Sequence, residues 1–188
     1  MPEAAEVASA ETPASDTQIE QGVEAALLVS DRAVGPGRLA EAVGCDEKAV
    51  VEAIERLNAA YEAGGRAFRV ESVAGGYRLM TVSAVADVVE RMHRKRGDHR
   101  LSVSQLETLA IVAYKQPVLR AEVEAIRGAG CGEVLRQLMD RRLVKVVGRA
   151  EELGRPLLYG TTPMFLEVFG LRSVTELPSV EALREAIG

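Results

Sequence analysis

The sequence has no tryptophan, and only three phenylalanines and four tyrosines. Platforms on which nucleic-acid bases could stack are therefore scarce. Its two cysteines, Cys45 and Cys131, lie far apart, and neither has another cysteine or a histidine at metal-ligand spacing. They read as buried or surface thiols of a reducing compartment. No run of about 18 apolar residues occurs, so a membrane-spanning helix is not expected. The opening stretch MPEAAEVASAETPASD has no base and no apolar segment, so a signal peptide is not expected either. Together these features describe a cytoplasmic protein. Phosphate-cradling loops are missing too: there is neither GxxxxGK[ST] nor GxGxxG, and Gly35-Pro36-Gly37 reads as a turn. No nucleophile elbow is present, and His93 and His99 sit in a basic stretch away from any carboxylate cluster. No catalytic, metal or cofactor site is expected, and the chain reads as non-enzymatic.

What is present is a repeated order of elements. Residues 1–16 are Ala, Glu, Ser, Thr and Pro with four acids, a composition of disordered chain. Thr17-x-x-Glu20 has the form of a capping box, and Ile19, Val23, Ala26 and Leu27 then share a helical face. Residues 29–37 form a turn region, LAEAV (39–43) a short helix ended by Gly44, and Asp46 caps a helix carrying Val50, Ile54, Leu57 and Tyr61. FRVESV (68–73) and YRLMTV (77–82) flank a glycine turn as a hairpin, and a helix follows over 84–92. The second half opens with the capping pattern Ser104-x-x-Glu107 and an apolar face of Leu106, Leu109, Ala110 and Ala113. Gln116-Pro117 breaks that helix, a short helix runs from Leu119 to Arg127, and Gly128 ends it. A third helix carries Val134, Leu135, Leu138 and Met139. LVKVVG (143–148) and LLYGTT (157–162) make a second hairpin, and MFLEVF (164–169) a final short helix.

Three helices followed by a hairpin make a winged helix. Pro36 and Pro117 take similar places in the first turn of each half. The expected fold is mainly α with small β-hairpins (α+β), built as tandem winged-helix domains. Its parts are a disordered acidic leader 1–16, a domain 17–94, a basic linker 95–100, a domain 101–170 and a tail 171–188. In that tail Val180, Leu183 and Ile187 share a face, as a short docking helix or a frayed end would.

The fold class points to DNA, and the charges do not. A DNA-reading helix needs side chains that reach base edges, flanked by Lys and Arg for phosphates. The chain carries a net charge of −5, and residues 18–90 hold twelve acids against seven bases. The outward face of the third helix offers Glu47, Lys48, Glu52, Glu55, Arg56 and Glu62, a surface that repels phosphate. Residues 101–170 are near neutral, with nine bases and eight acids. The dense basic run is Arg91, Arg94, Lys95, Arg96 and Arg100. It reads as a solvated connector, with Arg94, Lys95 and Arg96 the candidates for a weak DNA contact. A transcription regulator remains the alternative on fold alone; a protein-docking module fits the charges better.

From Leu101 to Leu177 the segments LETLAIVAYKQPVLRAEVEAIRG, VLRQLMDRRLVKVVGR and GRPLLYGTTPMFLEVFGLRSVTELP resemble the segregation and condensation protein B family, the accessory subunit of the bacterial condensin-like complex. EAALLVS (24–30) and GGYRL (75–79) extend the likeness into the first half. The resemblance implies a homodimer formed through the N-terminal domains and C-terminal domains that bind the kleisin, segregation and condensation protein A. Through the kleisin it implies the structural-maintenance-of-chromosomes (SMC) ATPase heads, a role in chromosome condensation and segregation, and association with the nucleoid. Within its motifs Pro117, Gly128, Gly154 and Pro156 answer backbone needs at turns and a strand start. Tyr114, Arg127, Arg155 and Tyr159 either pack within the domain or anchor a partner, since buried aromatics and arginines serve both purposes. With Arg141 and Arg142 of the third helix, they are the candidate partner-binding residues.

Overall fold

The computed structural model describes residues 15–93, 100–179, 181 and 182. The expected leader therefore lies largely outside the described residues, as do Arg94, Lys95 and Arg96 and the tail positions Val180, Leu183 and Ile187.

Helix α1 (Asp16–Leu28) begins earlier than Thr17-x-x-Glu20 suggests, and Asp16 belongs to it rather than to a leader. Ser15 is the N-cap and Gln18 closes the reciprocal box. The same correction applies to α5 (Val103–Lys115), where Ser102 and Gln105 form the box in place of Ser104 and Glu107. In both sequences two overlapping patterns compete, and glutamine closes the box as well as glutamate does.

In the first half α2 (Pro36–Val43) starts on its proline, which occupies the first helical turn where a missing N–H costs nothing. Gly44 ends it in the left-handed conformation. Asp46 caps α3 (Glu47–Ala63), whose buried Val50, Ile54, Leu57 and Tyr61 fall on the expected face. Strands β1 (Phe68–Val73) and β2 (Gly76–Thr81) pair antiparallel, and a 3-10 turn at Ser83–Val85 leads into α4 (Ala86–His93). Asn58 on α3 holds the wing by exchanging hydrogen bonds with the Val70 backbone.

The second half repeats this order. α5 is followed by a two-residue strand β3 (Val118–Leu119), α6 (Arg120–Arg127), α7 (Gly132–Asp140), β4 (Val144–Arg149), β5 (Leu157–Thr161) and α8 (Pro163–Phe169). A 3-10 turn at Val174–Glu176 follows. β3 is the element that periodicity misses: two residues are too short to alternate, so Leu119 reads as helix when it is strand. It completes a three-stranded sheet in the order β3-β5-β4. The first half has the same feature in reduced form, because Val34 exchanges two backbone bonds with Tyr77 of β2. This corrects the pairing of the prolines. Pro36 follows its bridging residue Val34 and opens a helix, whereas Pro117, after a cis peptide bond, precedes Val118.

Two apolar cores result, one in each half. The first gathers α1, α2, α3 and β1 around Val23, Leu27, Leu39, Val50 and Leu57. The second gathers α5, α6, α7 and the sheet around Leu109, Val112, Val123, Leu135, Leu138 and Tyr159. Every extensively packed pair of elements lies within one half.

Gly76 shows how tightly the first wing is tied. A Cβ there would stand 2.7 Å from the carbonyl oxygen of Val34, a backbone atom that cannot swing aside. Gly76→Ala is expected to break the Val34–Tyr77 bridge and cost about 1–3 kcal/mol, as overpacking does. Urea denaturation measures it, and an unchanged midpoint would show the bridge to be dispensable.

Candidate partner-binding site

The apolar face of α5 is rotated from the one its leucines suggest. Gln105, Thr108, Leu109, Val112 and Ala113 are buried, while Leu106 is 46% exposed and Ala110 is exposed. The two inward polar residues are satisfied locally: the Thr108 hydroxyl donates to the Ser104 carbonyl at 2.8 Å, and the Gln105 amide to Gln137 at 2.9 Å. Leu106 is thereby left facing solvent, with Val103 on the same helix and Ile126 (54% exposed) on α6. Ile111, Ile126, Glu107 and Arg127 line a shallow concavity of about 330 Å³ between α5 and α6.

Most of EAIRG (124–128) is occupied inside the domain. Glu124 accepts from the Cys131 N–H at 3.0 Å and from the Arg120 guanidinium at 2.7 Å, so one carboxylate clasps the start of α7 to α6. A Cβ at Gly132 would lie 2.8 Å from the Arg120 guanidinium and would have to displace it. Arg127 is nearly buried, its side chain 9% exposed. It donates to the Ser104 hydroxyl at 2.7 Å, the Gly130 carbonyl at 3.2 Å and Glu107 at 3.4 Å, while its buried Nε finds no acceptor among the described residues. Gly128 ends α6 at φ 71°. Ile126 is the large apolar member of the motif that faces outward.

YKQP and GRPLLYGTT meet across the sheet. The Gln116 side-chain Oε1 accepts from the Thr161 N–H at 2.7 Å and its hydroxyl at 3.0 Å, and the Gln116 Nε2 donates to the Ala113 carbonyl. Gly160 leaves room for this contact and for Val147. Tyr159 is buried in the core, paired with Val118 and Val146. Tyr114 is 38% exposed, and its hydroxyl donates to the Pro178 carbonyl at 2.8 Å. Gln116, Pro117, Val147 and Leu158 line a second concavity of about 390 Å³.

The remaining arginines lie elsewhere. Arg141 and Arg142 occupy the turn after α7, both exposed, and the Arg142 carbonyl accepts from the Thr162 hydroxyl at the start of α8. Arg155 is exposed in the wing loop, next to Gly154 at φ 86° and before the half-buried Pro156. The six candidates thus divide among α5 and α6, the sheet interior, the turn after α7 and the wing loop. Leu106 and Ile126 are not among them. Their signal was present as apolar residues out of phase with a helix face that polar residues complete.

On the first half, the bases of the α3 face are matched by acids. Arg56 bonds Glu20 and lies 3.9 Å from Asp16, and Lys48 lies 3.6 Å from Glu52. Little positive potential remains for phosphate. Burial and the bond to Glu24 push the Tyr61 hydroxyl far above its ordinary range. Among the described residues no group of acids, histidines or cysteines could hold a metal ion, and no helix is long and apolar enough to cross a membrane.

The Glu124 clasp has a pH signature. The Cys131 N–H and the Arg120 guanidinium favour its charged form and hold the carboxyl below its ordinary 4.5. Stability from a depressed carboxyl is complete above the unfolded value and is lost as pH falls through the folded one. Glu124→Gln is therefore expected to melt earlier near neutral pH and to lose less on acidification below about 4.5. Thermal melts across that range check this, and parallel curves for the two proteins would remove the clasp.

Comparison with known proteins agrees with the motifs. A family model described as segregation and condensation complex subunit ScpB matches residues 21–180. The chain is similar to segregation and condensation protein B of Syntrophotalea carbinolica, 42% identical over 163 residues, covering 87% of this chain and 82% of that one. With the protein of the same name from Myxococcus xanthus, identity is 39% over 171 residues; this covers 91% of the chain but 52% of the relative, so the chain spans about half of that protein's length. Two crystal structures are also similar. One is of a conserved hypothetical protein from Chlorobium tepidum, with 40% identity, 83% of this chain and 98% of that one covered, and a TM-score of 0.42. The other is of ScpB from Mycobacterium tuberculosis, with 31% identity, 85% and 99% covered, and a TM-score of 0.43. The matched span takes in both wings and, but for Ile19, both cores, and the chain belongs to the segregation and condensation complex subunit ScpB family.

Proposed function

We propose that this chain is a non-enzymatic, homodimeric subunit of a condensin-like complex, which binds the kleisin and through it the SMC ATPase heads during chromosome condensation and segregation. Family membership carries this reading. In it, residues 17–94 form the dimerising domain, 95–100 the linker and 101–170 the kleisin-binding domain. The protein works in the cytoplasm at the nucleoid, and any contact with DNA is indirect or weak, through Arg94, Lys95 and Arg96. The mechanism is scaffolding: two copies hold one kleisin and so restrain the ATPase heads.

The surfaces support it. Leu28 and Val29, at the end of α1, are 74% and 81% exposed, apolar groups suited to a second copy of the first half. On the second half the outward Leu106 and Ile126 offer the kleisin an apolar contact on a helix-turn-helix whose Arg127 is already paired within the domain.

Light scattering is expected to give about twice the 20.2 kDa chain mass. Affinity purification from the native cell is expected to recover a kleisin and a large coiled-coil ATPase. Leu106→Asp with Ile126→Asp should weaken kleisin binding by about tenfold or more, the loss of a hot-spot contact, and leave the dimer mass unchanged. A monomer at micromolar concentration, or a native purification without either partner, would refute the proposal.

A further inference from the structure

α8 belongs to the second half, where Phe165 is buried in the core and Leu166 packs against it. Its Glu167 nevertheless faces the first half. The Glu167 side chain is only 6% exposed, and its two carboxylate oxygens lie 3.9 Å from the Arg32 guanidinium and 3.6 Å from that of Arg78. Arg32 stands in the turn before α2 and Arg78 on β2. Beside this ion triad the N–H of Ala74, at the tip of the first wing, donates to the Leu171 carbonyl at 2.8 Å, just past the end of α8. The halves therefore meet at a wing tip and a helix end through polar groups, while neither apolar core takes a member from the other half.

The energetics of such a contact differ from those of a core. A carboxylate taken out of water is costly unless cations compensate it. Here both compensating cations come from the other half. If they are lost, the penalty is relieved by moving the halves apart and wetting Glu167, and neither core has to open. The arginines are themselves 56% and 36% exposed, so salt reaches them. The separations exceed hydrogen-bond length, so the attraction is that of charges rather than of aligned donors.

The geometry points to Glu167 as an ionic latch that sets the relative orientation of the two winged-helix units and opens without unfolding either. Opening bares the Glu167 carboxylate on one unit and the Arg32–Arg78 pair on the other, so that a charged partner segment competes with the latch for the same groups. This inference concerns one chain by itself and does not depend on which partner the complex contains.

The test is a distance measured within the full-length chain. A fluorophore pair is placed through unnatural amino acids at Glu52 on α3 and Arg136 on α7, both exposed, and labelled chain is diluted into a large excess of unlabelled chain. At about 0.1 M salt, where the screening length is about 10 Å, a single narrow distance distribution is expected; at about 1 M, where it is about 3 Å, the distribution should broaden and shift. Glu167→Lys should give the open distribution at low salt, with helical content and melting of both cores retained. Combining it with Arg32→Glu and Arg78→Glu should restore the narrow one. Identical distributions for wild type and a folded Glu167→Lys overturn the latch. Should that variant fail to fold, a wild-type distribution that ignores salt overturns it equally, and Glu167→Gln provides a milder second arm. Loss of kleisin co-purification would leave this distance unchanged, so the two proposals fail separately.

Discussion

Gln116 stands where α5 stops, and its side-chain amide joins that helix to β5. It caps the helix through Ala113 and reaches across to the N–H and hydroxyl of Thr161 on β5. With the end of α5 fixed to the middle strand, Val118 and Leu119 lie along that strand as β3, and α6 follows directly at Arg120. β5 in turn carries Tyr159 into the core and leads to the Thr162 cap of α8. Glycine at 160 is the condition for this arrangement, since a methyl group there would press on both Gln116 and Val147. Glu124, in the middle of α6, does the corresponding work by joining Arg120 at the start of that helix to Cys131 at the start of α7. Two side chains thus hold the helix-turn-helix in shape, and both lie in motifs by which the family is recognised.

Long elements with a strong period were legible from residues alone. α3 shows this best, with a capping aspartate, a four-residue apolar series and a following glycine, all in place. Three kinds of detail were not legible. Overlapping capping patterns put two helix starts two residues late, because serine, threonine, glutamine and glutamate are chemically near-equivalent in that role. Two-residue strands have no period to detect. The inward face of α5 was misjudged because Gln105 and Thr108 are polar yet fully bonded, so burial followed hydrogen bonding rather than hydropathy. That misjudgement hid the outward pair Leu106 and Ile126. Of the residues chosen as candidates, Tyr159 and Arg127 prove to be occupied within the domain, whereas Tyr114 keeps an exposed ring.

A helix-turn-helix is a shape before it is a DNA reader. On this chain α3 presents acids in excess, and its cations are bound to neighbouring carboxylates on its own or the adjacent helix. Counterion release, which drives non-specific DNA binding, has no positive surface there to act on. The same shape with an apolar outward ridge is suited to a protein segment. The composition stated this as a net charge; the structure turns it into particular pairs.

The two cores share no residue. Substitutions within one are far from those in the other and without common partners, so their effects on stability add instead of compounding. A lesion in α6 can therefore disrupt the core of one unit and leave that of the other intact. Destabilising substitutions in such a chain fall into two independent sets, one for each core.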